Sequence, residues 1–264
     1  MEFVGQEQLF KTINGYTLKT MPHTILLLGE EGCGKKTIVK YISNKLKLEL
    51  TVINKKIEPE QLTEYQQSAI KRLYMIDLTE LRLEKDQNQF LKFIEEPSEN
   101  SYIILINTSE IGILQTVLNR CVKLRFEPYT TEQLKQIKSF NNDFVYKVCK
   151  TPGQLSQLSE EKVIDMYNVC DTIVHKLNIA SYPNTISIAA RINYKEDYKK
   201  FDFTTFLNML EAVASESYLK ENNLLALHIY LYSVSRRQGL VQNSSIAKEN
   251  FMLSYLDGLW RAIR

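Results

Sequence analysis

Apolar residues in the first half of the chain come in short runs that are separated by polar or helically spaced segments. The runs at Thr24–Leu28, Leu73–Asp77 and Tyr102–Ile106 are almost continuous, which is typical of parallel strands covered on both faces. Leu48–Ile53 alternates between apolar and polar positions, and Val122–Phe126 follows a short helical segment, so two further strands are predicted there. Strands that alternate with helices predict a three-layer α/β domain with a mainly parallel, five-stranded sheet.

The remaining apolar positions recur at helical spacing. Before Pro128, helices are predicted from the end of a glycine-rich stretch to about Leu46, over Ile57–Ala69 and over Leu81–Glu96. After Pro128 no strand pattern follows. The segments predicted there are helices at Thr130–Ser139, Asp143–Lys150, Gln154–Leu158 (after a breaker at Thr151-Pro152-Gly153) and several from Glu160 onward, separated near 182–183, 193–202 and 239–245 and closing with Glu249–Ile263.

Short polar breaks near Pro128 and residues 182–183 divide the chain. We therefore expect an α/β domain over residues 1–127, a small helical lid over 128–178 and a helical domain over 179–264. Leu224–Leu231 is almost entirely apolar, and a helix apolar over that much of its circumference is buried in a core or against partners. The last domain is thus predicted to be the main oligomerisation surface.

Composition narrows the class of protein. The 264 residues carry 33 basic and 31 acidic side chains, so bulk charge predicts neither nucleic-acid binding nor its exclusion. No apolar run is long enough for a membrane span and the first residues do not form a signal peptide, so a cytoplasmic protein without a membrane partner is expected. The four cysteines are scattered, without a C-x-x-C pair, which predicts reduced thiols and no zinc or other metal site.

The strongest chemical signal is a G-x-x-x-x-G-K stretch, Gly29–Lys35, between the strand at Thr24–Leu28 and a helix. Strand, glycine loop and helix are the context that marks a phosphate-binding loop. The glycines let backbone N–H groups point inward, the helix N-terminus adds positive potential, and Lys35 reaches the outer phosphates of ATP or ADP. The candidate nucleotide-binding residues of the loop are Gly29, Gly32, Gly34, Lys35, Lys36 and Thr37, and Asp77, at the carboxyl end of a buried strand, is a further candidate.

The chemistry of this loop departs from the pattern. A Ser or Thr hydroxyl that holds Mg²⁺ is expected after Lys35, but Lys36 stands there and Thr37 comes one residue late, about 100° further around the helix. Glu30 and Glu31 bring negative charge to the place of a triphosphate. These residues argue against Mg²⁺ and leave nucleotide binding open.

Several motifs together resemble the clamp-loader subunits of the AAA+ family, most closely the delta-prime class of bacterial DNA polymerase III. Leu73–Asp77 and then Gln87–Pro97 are similar to the family's D-E strand and its A-Q-N-A-L-L-K-x-L-E-E-P run. Thr116–Cys121 resembles T-I-x-S-R-C, and the opening Val4-Gly5-Gln6 resembles the family's G-Q pattern. The resemblance covers residues 1 to about 160 well and the remainder only in outline.

The resemblance implies roles for single residues. Asp77 corresponds to the first acid of the Walker B pair, Asn107 to sensor 1 and Arg120 to an arginine presented to a neighbour's γ-phosphate. The second Walker B acid is Leu78, and the sensor 2 arginine is Gln154. Asp77 as a cap of the next helix, and Arg120 as a surface charge paired with an acid, remain open alternatives.

Because several catalytic groups are replaced, the resemblance implies a structural subunit without intrinsic ATPase activity that donates Arg120 in trans. The expected partners are a gamma/tau-type ATPase and a delta-type subunit, with the sliding clamp and primer-template DNA reached through the complex. The alternatives are an active gamma-type ATPase, which would need Thr37 to replace the lost hydroxyl, and a stand-alone AAA-like DNA-binding adaptor.

Overall fold

The computed structural model describes residues 4–53, 57, 59–67, 69–81, 83–141, 143–176, 203–242, 255 and 257–262. The chain divides into two compact units: Met1–Ile137 with Thr151–Gln154, and Lys138–Lys150 with Leu155–Arg264. The expected domain boundaries at 127/128 and 178/179 remain predictions, and the second lies outside the described residues.

The first unit contains a five-stranded sheet in the order β2-β3-β4-β1-β5, in which each neighbouring pair is parallel. Its elements are α1 (Glu7–Gly15), β1 (Thr24–Leu28), α2 (Lys35–Leu46), β2 (Glu49–Ile53), α3 (Pro59–Gln66), β3 (Arg72–Asp77), a 3₁₀ turn (Leu78–Glu80), α4 (Glu84–Asn88), α5 (Leu91–Glu95), β4 (Ser101–Asn107), α6 (Gln115–Leu118), β5 (Val122–Arg125) and α7 (Thr131–Ile137). The predicted parallel α/β domain is confirmed.

Helices cover both faces of the sheet. Successive residues of a strand point to opposite faces, so each strand contributes side chains to two separate cores. On one face, Ile25 and Leu27 of β1 share a core with residues of α1 and α2. On the other, Leu26 and Leu28 share a core with residues of α3, α5 and α6. The continuous apolar runs in the sequence are thus explained by burial on two sides.

The second unit is helical in its described residues. It contains α8 (Phe144–Val148), α10 (Glu160–Lys176), α11 (Phe203–Glu221) and α12 (Leu224–Gln242). The short α9 (Pro152–Ser156) is divided: its residues up to Gln154 belong to the first unit and those from Leu155 onward to the second. Helix α11 packs against α8, α10 and α12. None of the helices within the described ranges is long and apolar enough to cross a membrane.

The structure corrects two of the sequence-based predictions. The single helix expected over Leu81–Glu96 is two short helices, α4 and α5, with the chain turning at Gln89 and Phe90. The turn lets Gln87 bond three backbone groups while Phe90 enters the core.

The other correction concerns the start of a helix. Helix α9 begins at Pro152 rather than Gln154. Proline is favoured at the first position of a helix, because a backbone N–H there would have no partner within the helix and proline has none. Helix α12 ends at Gln242, within the break expected near 239–245, and the later residues of that break lie outside those that the structure describes. The closing helix expected at Glu249–Ile263 lies largely outside the described residues.

Candidate functional site

The glycine loop lies at the carboxyl edge of the sheet, between β1 and α2. Gly29 follows Leu28, which pairs in register with Asn107, the last residue of β4. Gly32 and Gly34 have φ values of 81° and 109°, which L side chains rarely adopt and glycine adopts freely. The loop therefore has the backbone shape that the G-x-x-x-x-G-K spacing predicts.

Lys35 points back into this loop. Its Nζ donates to the carbonyl oxygens of Gly29 at 2.5 Å and Glu30 at 2.8 Å, and its side chain is buried. Tyr129 supports the same loop by donating its hydroxyl to the Cys33 carbonyl at 2.8 Å, and burial raises the pKa of Tyr129 to about 12. Two of the three N–H donors of the Lys35 ammonium are thus engaged by carbonyls of the loop itself.

Lys36 does not point freely to solvent. Its Nζ lies 3.3 Å from Oδ2 of Asp77 at the end of β3. The other carboxylate oxygen of Asp77 accepts from the Thr79 hydroxyl at 2.6 Å and the Thr79 amide at 3.2 Å, so Asp77 caps the 3₁₀ turn that follows. The helix-cap alternative for Asp77 is thus observed, together with an ion pair that the sequence did not predict.

These residues do not fit Mg²⁺. An octahedral magnesium site needs oxygen ligands, yet position 36 supplies an ammonium and both oxygens of Asp77 are engaged. Leu78, at the position of a water-activating carboxylate, is buried. Thr37 is exposed on the outside of α2. Within the described residues, no group of three or more His, Cys, Asp or Glu side chains is placed to hold a metal ion.

The tip of the loop is covered by the segment Thr151–Gly153. The Gly153 amide donates to the Gly32 carbonyl at 2.9 Å, and the Thr151 hydroxyl donates to the Glu31 carbonyl at 2.9 Å. The contact is so close that a Cβ added to Gly153 would lie 2.5 Å from the Gly32 Cα. Gln154, at the expected sensor 2 position, accepts from the Thr151 amide at 3.3 Å.

Asn107 lies beside the loop but is turned inward. It is buried, and its Oδ1 accepts from the Thr108 amide at 2.9 Å, while its backbone carbonyl accepts from the Gly29 amide at 3.2 Å. The structure therefore brings the loop glycines, Lys35, Lys36, Asp77 and Asn107 to one edge of the sheet, and their role in nucleotide binding remains a prediction.

Arg120 lies at the opposite, amino edge. It precedes Val122, the first residue of β5, and shares a pocket of about 290 Å³ with Thr24, the first residue of β1. Its Nη2 lies 3.0 Å from Oε1 of Glu95, its Nη1 donates to the Thr116 carbonyl at 2.7 Å, and its side chain is 38% exposed. Arg120 thus stands at the rim of the sheet domain, away from its own glycine loop.

Sequence reasoning missed four residues that shape these two sites. Thr151 and Gly153 were expected only to interrupt helices, and no local pattern indicates that they cover the loop. Gln87 is buried and accepts from the Leu114 amide at 2.9 Å, just ahead of α6. Glu95 belongs to the motif Gln87–Pro97, but nothing in that motif indicates a contact with Arg120.

Comparison with known proteins agrees with this architecture. Residues 48–130 match the family described as "DNA polymerase III, delta subunit". The gamma subunit of DNA polymerase III from Buchnera aphidicola (subspecies Schizaphis graminum) is 25% identical over 237 residues, covering 75% of this chain and 64% of that protein. The delta-prime subunit from Bacillus subtilis is 34% identical over 58 residues, covering 22% of this chain and 18% of that protein.

The chain therefore spans less than two thirds of the length of these curated relatives. Among solved structures, a RuvB variant from Thermotoga maritima aligns over 78% of this chain and 88% of its own, with a TM-score of 0.51 and 16% identity. The RuvB Holliday junction branch migration motor from the same organism aligns with a TM-score of 0.50 and 15% identity, over 78% of this chain and 87% of its own. At this identity the likeness concerns the fold.

The family match over residues 48–130 and the two kinds of relative together indicate that the chain is similar to the gamma and delta-prime subunits of DNA polymerase III, and the parallel sheet with its glycine loop agrees with that similarity.

Proposed function

We propose that the chain is a non-hydrolysing, delta-prime-like subunit of a DNA polymerase III clamp loader, and that it donates Arg120 to an ATP site on a neighbouring subunit. The observation that carries the proposal is the ion pair between Lys36 and Asp77 at 3.3 Å. It sets an ammonium against the carboxylate that a phosphoryl-transfer site would use for Mg²⁺.

Two further replacements support the absence of hydrolysis. Leu78 supplies no carboxylate to activate water, and Gln154 supplies no guanidinium. Loss of a general base alone typically costs about 10²–10⁴ in rate, although losses within one site do not simply multiply. ATP or ADP can still be a ligand of this loop if Lys35 exchanges its carbonyl partners for phosphate oxygens.

The proposed partners are those of a clamp loader. They are a gamma/tau-type ATPase, a delta-type subunit and, through the complex, the sliding clamp and primer-template DNA in the cytoplasm. Arg120 suits the trans role because a guanidinium is always charged and offers a planar pair of donors to phosphate. Its location at the amino edge separates it from the chain's own loop.

A second candidate is an active gamma-type ATPase, which is favoured by the longer similarity to gamma subunits. ATP turnover by the purified chain separates the two. The delta-prime-like proposal expects none above background, with or without Mg²⁺. Turnover near one per second that Lys35→Ala abolishes would establish the gamma-type activity instead.

The role of Arg120 is tested in the reconstituted complex. Arg120→Ala should leave assembly intact, because an exposed substitution usually changes stability by only about 0.5 kcal/mol. It should lower clamp- and DNA-stimulated ATP hydrolysis several-fold or more, since an arginine finger is worth about 10³–10⁵ at the site it serves. Arg120→Lys should be nearly as harmful because lysine lacks the planar fork. Unchanged rates in both assembled variants would leave Arg120 an ordinary surface charge.

A further inference from the structure

Arg120 is held by two contacts that leave part of its guanidinium available. One terminal nitrogen meets Glu95 Oε1 at 3.0 Å and the other donates to the Thr116 carbonyl at 2.7 Å. A guanidinium has five N–H donors. One donor on each terminal nitrogen is engaged in these contacts, so the Nε–H and the second donors of the terminal nitrogens remain.

Both partners of this arrangement are anchored in the same core. Glu95 is the last residue of α5, directly after the buried Phe93 and Ile94. Thr116 belongs to α6, directly before the buried Val117. Phe93, Ile94 and Val117 lie in one apolar cluster under the sheet, so the backbones that carry Glu95 and Thr116 are anchored next to each other.

Among the described residues that line the pocket around Arg120, Glu95 is the only anion. The pocket around Arg120 is lined by Pro22, His23, Thr24, Ile94, Glu95, Pro97 and Val122, and Glu95 is its single carboxylate. His23 is engaged elsewhere, with Nδ1 2.9 Å from the Ser101 carbonyl and its ring stacked on Tyr102. The side chain of Arg120 remains 38% exposed and that of Glu95 39% exposed.

We propose that Glu95 is a positioning residue for the trans-acting arginine, which rests on the proposed function of Arg120. By holding one terminal nitrogen while Thr116 holds the other, Glu95 restrains a long side chain that would otherwise sample many rotamers in solvent. The free donors are then presented together to a phosphate oxygen of ATP bound on the neighbouring subunit. Pre-organised geometry of this kind raises the rate of the chemical step, because a misplacement of about 1 Å can cost 10²-fold.

The test uses the full chain in a complex reconstituted with gamma-type ATPase subunits of the source organism. Glu95→Ala should lower kcat for ATP hydrolysis about threefold or more with KM nearly unchanged, because the effect is on the transition state. Glu95→Gln keeps an acceptor oxygen at the same reach and should restore most of the rate, whereas Glu95→Asp shortens the reach and should not. Glu99→Gln, at an exposed carboxylate outside this pocket, is the matched control and should behave as wild type.

Coupling separates positioning from a structural role. In an Arg120→Ala background, Glu95→Ala should cause no further loss, and thermal unfolding of the isolated variants should match wild type. If Arg120→Ala lowers the rate and Glu95→Ala leaves it unchanged or raises it, the positioning role is overturned and the donated arginine stands. If Arg120→Ala itself has no effect in an assembled complex, both proposals are overturned.

Discussion

At the scale of single residues, replacing a hydroxyl by an ammonium at position 36 changes what Asp77 faces. In a magnesium-dependent site a hydroxyl and a carboxylate jointly orient a divalent cation. Here Lys36 itself carries the positive charge, at 3.3 Å from the Asp77 carboxylate. The pair is partly exposed, with side-chain exposures of 62% and 18%, so its own contribution to stability is modest. The main consequence of the pair is that the Asp77 carboxylate faces the Lys36 ammonium instead of Mg²⁺.

The first prediction concerns Mg²⁺. Lys36→Thr returns a hydroxyl and frees one oxygen of Asp77, so the variant should gain a Mg²⁺-dependent increase in melting temperature with ATP or ADP, which the wild type should lack. Thermal shift assays with excess Mg²⁺ or with EDTA measure the difference. Lys40→Thr, at an exposed lysine of the same helix, is the control. A Mg²⁺-dependent shift in the wild type would contradict this view of Lys36.

The sequence showed which positions differ from the motifs that the chain resembles, but not where the side chains at those positions point. The loss of the hydroxyl at Lys36 and of the carboxylate at Leu78 is visible in the printed chain. The contact of Lys36 with Asp77 is not, because it joins the helix after β1 to the end of β3, and β4 lies between those two strands. The partner of Arg120 was likewise left open as an unnamed acid, since only folding brings α5 beside α6.

At the scale of elements, the backbones of the glycine loop and of the start of α9 lie very close together. Gly153→Ala adds a Cβ that would lie 2.5 Å from the Gly32 Cα, so one of the two backbones must move. Overpacking of this kind costs about 1–3 kcal/mol, which exceeds the gain of about 1 kcal/mol from alanine in a helix. We therefore expect a lower free energy of unfolding for Gly153→Ala.

Gly15→Ala is the matched control for that variant. Gly15 ends α1, and a Cβ added there meets nothing within 4 Å. Urea unfolding should show Gly15→Ala equal to or slightly more stable than wild type. Equal stability of Gly153→Ala and wild type would mean that the contact with Gly32 is loose in solution.

Helices α10 and α11 are joined by a titratable contact. His175 of α10 has Nδ1 3.0 Å from the Asp171 carbonyl and 3.1 Å from the Asp171 carboxylate. Its Nε2 lies 3.2 Å from the Glu221 carboxylate and 3.4 Å from the Ser217 hydroxyl, both on α11. The Asp171 carbonyl, with added help from Glu221, raises the pKa of His175.

This raised pKa predicts the direction of a pH effect. Protonated His175 stabilises the folded chain, so the contribution is fully present below the unfolded pKa of about 6.5 and is lost as pH rises through the higher folded pKa. Urea unfolding should show that the free energy of unfolding of the wild type decreases as the pH rises above about 6.5, and that His175→Gln lacks this decrease. His228→Gln, at an exposed histidine of α12, should keep the wild-type pH dependence; the same slope in His175→Gln would assign the effect to other groups.

Strands were more predictable than helices at this scale. A strand that is buried on both faces has a continuous apolar sequence, and the three such runs fall within β1, β3 and β4. Between Leu81 and Glu96, in contrast, the apolar pattern is compatible with one helix or two. Gln87 decides between the two, because its side-chain amide donates to the carbonyls of Leu81 and Gly112. Tertiary hydrogen bonds of that kind produce no periodic pattern in the sequence.

At the scale of the whole molecule, α12 carries apolar residues on an outer as well as an inner side. Ala226 and Ile229 are fully buried, whereas Leu224, Leu231 and Val234 are 63%, 55% and 43% exposed. Spacings of seven and three residues align these three side chains along one face of a helix. Single exposed apolar residues are normal on a protein surface, but an aligned set is typical of an interaction site.

The last prediction is that this outer face of α12 joins the chain to its complex, as the sequence predicted for the C-terminal domain. The variant Leu231→Glu with Val234→Glu should lose co-purification with the other loader subunits, because two carboxylates would be buried without partners at the contact. Its circular dichroism and melting temperature should stay close to wild type, since both side chains are already partly in water. Ile70→Glu, at a site that is 53% exposed in the first unit, controls for the loss of an exposed apolar side chain and should assemble normally. Assembly of the double variant at wild-type affinity would move the oligomerisation surface away from this helix.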